Sequence, residues 1–212
     1  MEDMKNQFEM SSLGEMNYFL DLEVYQYEDG FFLNQEKYAH EVLNKFRMES
    51  CKSVPTFLVS NLKFSKEDET EKIYVSLYRS LIGSLLYLTS SSPDLMYATS
   101  LLSRFMRSRT KTHFATSKRV LRYVKGTTQF GIWYKPSENG SLIGYVDSDW
   151  AGNIDDMKST TNHAFSLGSG MFSWKSRKQE IVAPSSVEAK YVAAAAATNQ
   201  AIWLRIILLD LL

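Results

Sequence analysis

With a single cysteine, Cys51, the 212-residue sequence has no disulfide framework, which fits a reducing compartment and leaves Cys51 a structural residue. Net charge is missing too. The 24 Lys and Arg are matched by 24 Asp and Glu, so no overall field draws the chain to nucleic acid, and any such pull must come from local clustering. Histidine is scarce, and His40, His113 and His163 lie too far apart in sequence for zinc-ligand spacing. No Gly-x-Ser-x-Gly elbow surrounds Ser185-Ser186, whose place before an apolar run is that of a helix cap. Gly168-Ser169-Gly170 reads as a turn between strands, with no following helix to cradle a phosphate. Met1-Glu2-Asp3-Met4-Lys5 is charged where a secretory signal needs an apolar core. No stretch reads as long enough to span a bilayer. These absences lead to the expectation of an intracellular protein, in cytoplasm or nucleus, with no membrane partner.

What is present is enough apolar material, 44% of the residues, for one sizeable core or two small ones. Three regimes follow one another. Tyr18 to Val24 reads as a strand, Glu28-Asp29-Gly30 as a turn and Phe31-Phe32-Leu33 as the returning strand of a hairpin. Tyr38, Ala39, Val42, Leu43 and Phe46 then recur at helical spacing. After a polar link with Pro55 and the run Lys66-Glu67-Asp68-Glu69, the second regime is helical. Tyr74, Tyr78, Leu81, Leu85 and Leu88 mark one helix face. Pro93 opens the next helix, with Leu95, Ala98, Leu102 and Phe105 inside, and a third runs from about Thr112 to Lys125, stopped by Gly126. From Gly131 the third regime is β-rich: Ile132 to Tyr134, Leu142 to Val146, Ala164 to Leu167 and Met171 to Trp174, with a turn at 136–140. It closes with a long apolar helix, or two in tandem, from Ser185.

Two constellations could carry chemistry. Between Asp94 and Glu138 there is no acidic residue, while Arg104, Arg107, Arg109, Lys111, Lys118, Arg119, Arg122, Lys125 and Lys135 are all cationic. Lys111, Lys118, Arg122 and Lys125 share a helical face. That face reads either as a contact for a phosphate backbone or as a solvated surface. In the second constellation, Asp147 stands near a strand end in Tyr145-Val146-Asp147-Ser148-Asp149-Trp150, and Glu188 near a helix start in Ser185-Ser186-Val187-Glu188-Ala189. A strand and a helix can bring two such carboxylates to a divalent metal. Equally, Asp147 reads as an ordinary strand-end residue and Glu188, three positions after Ser185, as half of a capping box.

The words and their order resemble one family. Leu13-Gly14-Glu15-Met16-Asn17-Tyr18-Phe19-Leu20, Leu33-Asn34-Gln35-Glu36-Lys37-Tyr38, Leu77-Tyr78-Arg79-Ser80-Leu81-Ile82-Gly83-Ser84-Leu85-Leu86-Tyr87-Leu88 and Lys118-Arg119-Val120-Leu121-Arg122-Tyr123-Val124-Lys125-Gly126-Thr127 resemble the polymerase part of copia-type retrotransposon Pol polyproteins. Tyr145 to Gly152, Lys158-Ser159-Thr160, Ser173 to Gln179 and Ser185 to Ala189 resemble the RNase H part of the same elements. The resemblance implies an α+β chain. Residues 1–70 would be the end of the reverse transcriptase palm with a primer-grip hairpin, and 71–130 a helical thumb and connection. Residues 131–212 would be an incomplete RNase H-like α/β domain with its first three strands and first helix.

The resemblance also implies nucleic-acid contacts at Arg104, Arg107, Lys111, Lys118, Arg119, Arg122 and Lys125, because a thumb touches phosphates regardless of base sequence. Asp147 and Glu188 would be RNase H catalytic and metal-binding carboxylates. Magnesium is the parent family's cofactor, and RNA/DNA hybrid or template-primer its partner. The polymerase aspartates are expected upstream of Met1 and further RNase H carboxylates downstream of Leu212, so missing polyprotein segments are expected partners and no functional metal is expected here. Three departures from the family pattern accompany this: Asp21 for a glycine, Lys190 for an acid, and Asn162-His163 for a Gly-aromatic pair. The expected function is that of a catalytically inactive Pol fragment with residual nucleic-acid binding. The alternatives are residual magnesium-dependent RNase H activity, or an effector-like interaction protein, since Arg119 to Arg122 spells the Arg-x-Leu-Arg tetrapeptide.

Overall fold

The hairpin near the N-terminus is tighter than its sequence suggests. In a computed structural model that describes residues 14–60, 62–68, 70–137 and 140–211, Tyr18 to Val24 is broken after Phe19. Strand β1 (Tyr18–Phe19) turns back into β2 (Leu22–Tyr27), with Phe19 opposite Leu22. The two turn residues, Leu20 and Asp21, have φ of 48° and 60°. Two consecutive left-handed residues are the geometry of the two-residue hairpin turn that usually calls for Asn-Gly. Here side chains stabilise it: Tyr18 Oη donates to Asp21 Oδ1 at 2.7 Å, and Tyr87 Oη to Leu20 O at 2.7 Å. Among the sequence expectations, those at Met1 to Lys5, Leu13, Glu69, Glu138 and Asn139 lie outside the described residues.

Strand β2 pairs antiparallel with β3 (Gly30–Asn34), and β3 pairs with β4 (Gly131–Tyr134), giving a sheet ordered β1-β2-β3-β4. The composition boundary at 131 is therefore not a sheet boundary. Ile132 sits opposite Leu33, and a Cβ at Gly131 would lie 2.2 Å from Leu33 O, so glycine permits the close approach. Phe31 stacks on Tyr134 at 5.1 Å across the same pair of strands.

Four helices pack on one another: α1 (Glu36–Lys45), α2 (Val75–Leu88), α3 (Met96–Ser103) and α4 (Lys111–Gly126), with a 3₁₀ turn at Pro93–Leu95 leading into α3. Their apolar faces make one core: Ala39, Val42 and Leu43 from α1, Tyr78 to Leu88 from α2, Ala98 and Leu102 from α3, and Val120, Leu121 and Val124 from α4. Tyr74, expected on the buried face of α2, is its N-cap and 83% exposed. It precedes the first helical turn, so the 3.6-residue period does not carry it inward. Helix α1 lacks a cap from Gln35. Instead Glu23 reaches across from β2, and its Oε1 accepts from Lys37 N at 2.8 Å. Helix α4 begins with a capping box in which Thr110 and His113 exchange side-chain and backbone contacts.

The second sheet is antiparallel in the order β5-β6-β7, from Leu142–Ser148, Thr160–Leu167 and Gly170–Lys178. One continuous helix, α5 (Ser186–Leu211), lies across it. Helix α5 corrects the reading that nothing is long enough to span a bilayer: its 26 residues qualify by length and composition. Lys190 and Arg205 bracket an interior of alanines and other uncharged residues, and the helix is continuous rather than two in tandem. Its inner face, Ala189, Ala193 and Leu204, is buried against the sheet, while Tyr191, Ile202, Trp203 and Leu209 are exposed.

Direct hydrogen bonds join the two sheets' units. Trp174 Nε1 donates to Thr89 O at 2.8 Å, Ser100 Oγ to Ser176 O at 2.8 Å, and Tyr134 Oη to Met171 O.

Candidate carboxylate pair and cationic surfaces

Asp147 lies near the end of strand β5 and Asp149 just beyond it, and the fold treats them differently. Asp149 is committed to architecture. Its Oδ1 accepts from Thr160 N and its own N donates to Thr160 O at 3.2 Å, closing the 149–160 loop. Ala151, at φ 51°, is held in that loop by donation to the buried Ser159 Oγ at 3.1 Å, and a Cβ at Gly152 would overlap the Asp149 carboxylate. Trp150 Nε1 ties the same loop to Ala183 O at 3.0 Å. The Lys158-Ser159-Thr160 step is thus the other half of a loop clasp.

Asp147 has no such duty. It lies opposite Asn162 in the β5–β6 register, is exposed, and lines a cleft of about 280 Å³ with Met96, Tyr97, Asn162, Trp174 and Ser176. Strand pleating puts Val146 and Gly144 on the other face, where they meet Ala194, Ala197 and Ala201 of α5. Glu188 is in the first turn of α5, half-buried, and its N–H donates to the capping Ser185 Oγ at 3.2 Å. That turn is anchored where β5 finishes: Gln179 Nε2 donates to Ala189 O at 2.9 Å and to Thr161 Oγ1 at 3.1 Å, Thr161 being opposite Ser148. Asp147 and Glu188 therefore stand at the same end of the strand and helix layer. Among the described residues no group of three or more His, Cys, Asp or Glu side chains is placed to hold a metal ion.

The basic candidates are dispersed. Arg104 is turned inward, donating to Thr160 Oγ1 at 3.1 Å, and burial pushes its pKa down against the opposing pull of Tyr97 and Asp149. Arg109 donates to Ile73 O at 2.9 Å. On α4, Lys111 pairs with Glu71 at 2.5 Å, Arg119 donates to Thr56 Oγ1 at 2.9 Å, and Arg122 donates to Lys52 O at 2.7 Å. The last two contacts fasten the 52–56 loop to the helix. Lys118 lies 5.0 Å over the Phe114 ring, and Lys125 and Arg107 have no ion pair among the described residues. In Arg119 to Arg122, Leu121 is fully buried.

A second cationic surface went unread in the sequence. Lys175 and Arg177 are two apart on β7, so both side chains leave the same face, and they line a cleft with His163, Gln179 and Gln200. The i, i+2 spacing of the two cations was its only sequence signal.

Comparison with known proteins gives a consistent set of relatives. The chain is 35% identical over 211 residues to the Retrovirus-related Pol polyprotein from transposon RE1 of Arabidopsis thaliana, covering all of this chain and 14% of that protein. It is 36% identical over 201 residues to an uncharacterised mitochondrial protein of Arabidopsis thaliana, covering 94% of this chain and 83% of the relative. It is 40% identical over 130 residues to Secreted RxLR effector protein 161 of Plasmopara viticola, covering 61% of this chain and 92% of the relative. The chain spans about a seventh of the length of the Pol polyproteins it matches. No family model matches the chain, and no solved structure matches it.

Proposed function

Because the chain belongs to the family of copia-type retrotransposon Pol polyproteins, we propose that it is the stretch joining the end of a reverse transcriptase to the start of an RNase H-like domain. Its own activity is then salt-sensitive binding to RNA/DNA hybrid or template-primer, without cleavage. The sequence words of both enzymes, in their family order, support this reading, as does a β5-β6-β7 sheet followed by a helix carrying Glu188.

The carrying observation is how the fold uses its acids. Asp149 is consumed by the loop clasp, which leaves Asp147 and Glu188 as the pair at that end of the sheet. Phosphodiester cleavage of the two-ion kind needs two divalent ions held about 4 Å apart. A magnesium ion keeps several waters and binds through one or two carboxylates plus substrate phosphate. Asp147 lines the cleft on the face of β5 away from α5, whose first turn carries Glu188, so the two carboxylates do not supply a two-ion centre and no cleavage step follows from these residues.

The effector-like reading is disfavoured by the same geometry. Leu121 is in the core, and Arg119 and Arg122 are held to the 52–56 loop, so the tetrapeptide is not presented to a partner.

The test uses the purified 212-residue chain and a labelled RNA strand annealed to DNA. With magnesium the RNA stays intact, while the hybrid is retarded in a gel at low salt and released as salt rises. Magnesium-dependent cleavage that disappears in Asp147→Asn would overturn the reading.

A further inference from the structure

The cations of α4 are largely engaged with protein acceptors, whereas those of β7 face an open cleft. We propose that the cleft between β7 and α5 binds a phosphodiester of a nucleic-acid backbone. The inference rests on the nucleic-acid reading above and assigns its contact to a different element.

Three features of the cleft carry it. Its volume is about 360 Å³, and its lining includes Lys175, Arg177 and Lys178 against one acid, Glu180. Lys178 is paired with Asp156 and Arg177 with Glu180 at 2.6 Å, the latter on exposed side chains. An exposed pair of that kind is worth little, so exchanging Glu180 for a phosphate costs Arg177 little. Lys175 has no ion pair among the described residues. An ammonium and a guanidinium on one strand face match the anionic oxygens of a phosphate, with the guanidinium able to bind two at once.

Second, the cations are fixed by register. Lys175 is opposite His163 and Arg177 is opposite Thr161 on β6, so the sheet forms a floor, and Val192, Ala196 and Gln200 of α5 form a wall. Third, polar atoms of this cleft's residues lack protein partners. His163 Nδ1 and Gln179 Oε1 are buried without a hydrogen bond among the described residues, although Gln179 Nε2 is fully engaged. A phosphate oxygen suits the first when that ring nitrogen carries the proton.

The experiment follows amide and His163 ring signals of the isotope-labelled 212-residue chain by NMR during titration with a thymidine decanucleotide. Parallel titrations use inorganic phosphate and phosphatidylserine vesicles. Saturable shifts at His163, Lys175, Arg177 and Gln200 are expected. In Lys175→Gln/Arg177→Gln the slope of log affinity against log salt falls by about 1.4, the value for two lost single-strand phosphate contacts. Lys118→Gln/Lys125→Gln leaves the cleft shifts in place. If the oligonucleotide binds the Lys175→Gln/Arg177→Gln chain with unchanged affinity and slope, the cleft assignment is overturned while the nucleic-acid reading stands. If neither oligonucleotide nor hybrid binds any form of the chain, both fail. Tighter binding to the vesicles than to the oligonucleotide overturns the assignment in favour of a lipid surface.

Discussion

Replacing Asp149 with alanine, and separately Asp147 with alanine, separates architecture from chemistry in a motif where the two acids are two positions apart. Asp149 accepts from the Thr160 backbone and sits against Gly152, inside a clasp that also holds Ala151 to the buried Ser159. Losing the acceptor strands a backbone N–H at a position where Thr160 is nearly inaccessible, 1% exposed. Hydrogen bonds to charged groups contribute about 1.5–3 kcal/mol, so Asp149→Ala should cost about 2 kcal/mol. With a urea slope of about 2 kcal/mol per molar, the unfolding midpoint falls by about 1 M. Asp147 is exposed and accepts no protein hydrogen bond among the described residues, so Asp147→Ala should stay within about 0.5 kcal/mol. Urea titration followed by tryptophan fluorescence reads both, since Trp150 is part of the clasp. A midpoint that drops as far for Asp147→Ala as for Asp149→Ala would refute the division of roles.

Two further outcomes concern the helical unit and, through His163, the second sheet. Burial holds His113 and His163 below the ordinary histidine pKa, so the unfolded chain binds more protons between the lowered folded value and about 6.5. Stability from these groups is present above about pH 6.5 and is lost as pH falls towards the folded values. The Asp68 carboxyl is held well below its usual range, first by Thr70 N and then by the Thr110 hydroxyl, so a second loss sets in below about pH 4. Urea midpoints measured from pH 3 to 8 should show both, with His113→Gln flattening the upper slope and Asp68→Asn the lower. Leu121→Ala leaves a cavity in the shared core of α1, α2 and α4 and should cost about 3–5 kcal/mol in the same assay, against near-neutrality for an exposed site.

Where information was local, the sequence was readable. Leu81, Leu85 and Leu88 or Leu95, Ala98 and Leu102 recur with the helical period and are buried as that period requires. The turn at Leu20-Asp21 was hidden because neither residue is the glycine such backbone angles favour, and contacts from Tyr18 and Tyr87 support it instead. Strand β4 could be recognised as a strand but not assigned a partner, since its pairing with β3 bridges most of the first unit. At the candidate site, the acids and cations were visible as residues. What could not be seen was which of Asp147 and Asp149 the fold consumes, because that depends on Thr160 and Gly152 meeting Asp149 across a loop.

The acid-free stretch from 95 to 137 shows why a basic run is an incomplete guide to a nucleic-acid surface. With no carboxylate inside the stretch, its cations find acceptors outside it: Glu71 for Lys111, Thr56 for Arg119, and the Lys52 carbonyl for Arg122. The loop so attached also pairs Val54 N with Arg122 O at 3.3 Å, so the contacts determine where residues 52–56 lie. A phosphate approaching α4 must compete with these acceptors, and drawing Arg119 and Arg122 away loosens the loop. Lys118 and Lys125 carry no such cost, so on the proposed nucleic-acid reading α4 is expected to be a weak contact with a shallow salt dependence. On β7, Lys178 is taken by Asp156, but Lys175 meets no such competition and Arg177 only one exposed acid. Affinity in this chain should therefore follow the number of cations the fold leaves free, and the charge run that dominates the sequence should contribute less than two residues on a strand.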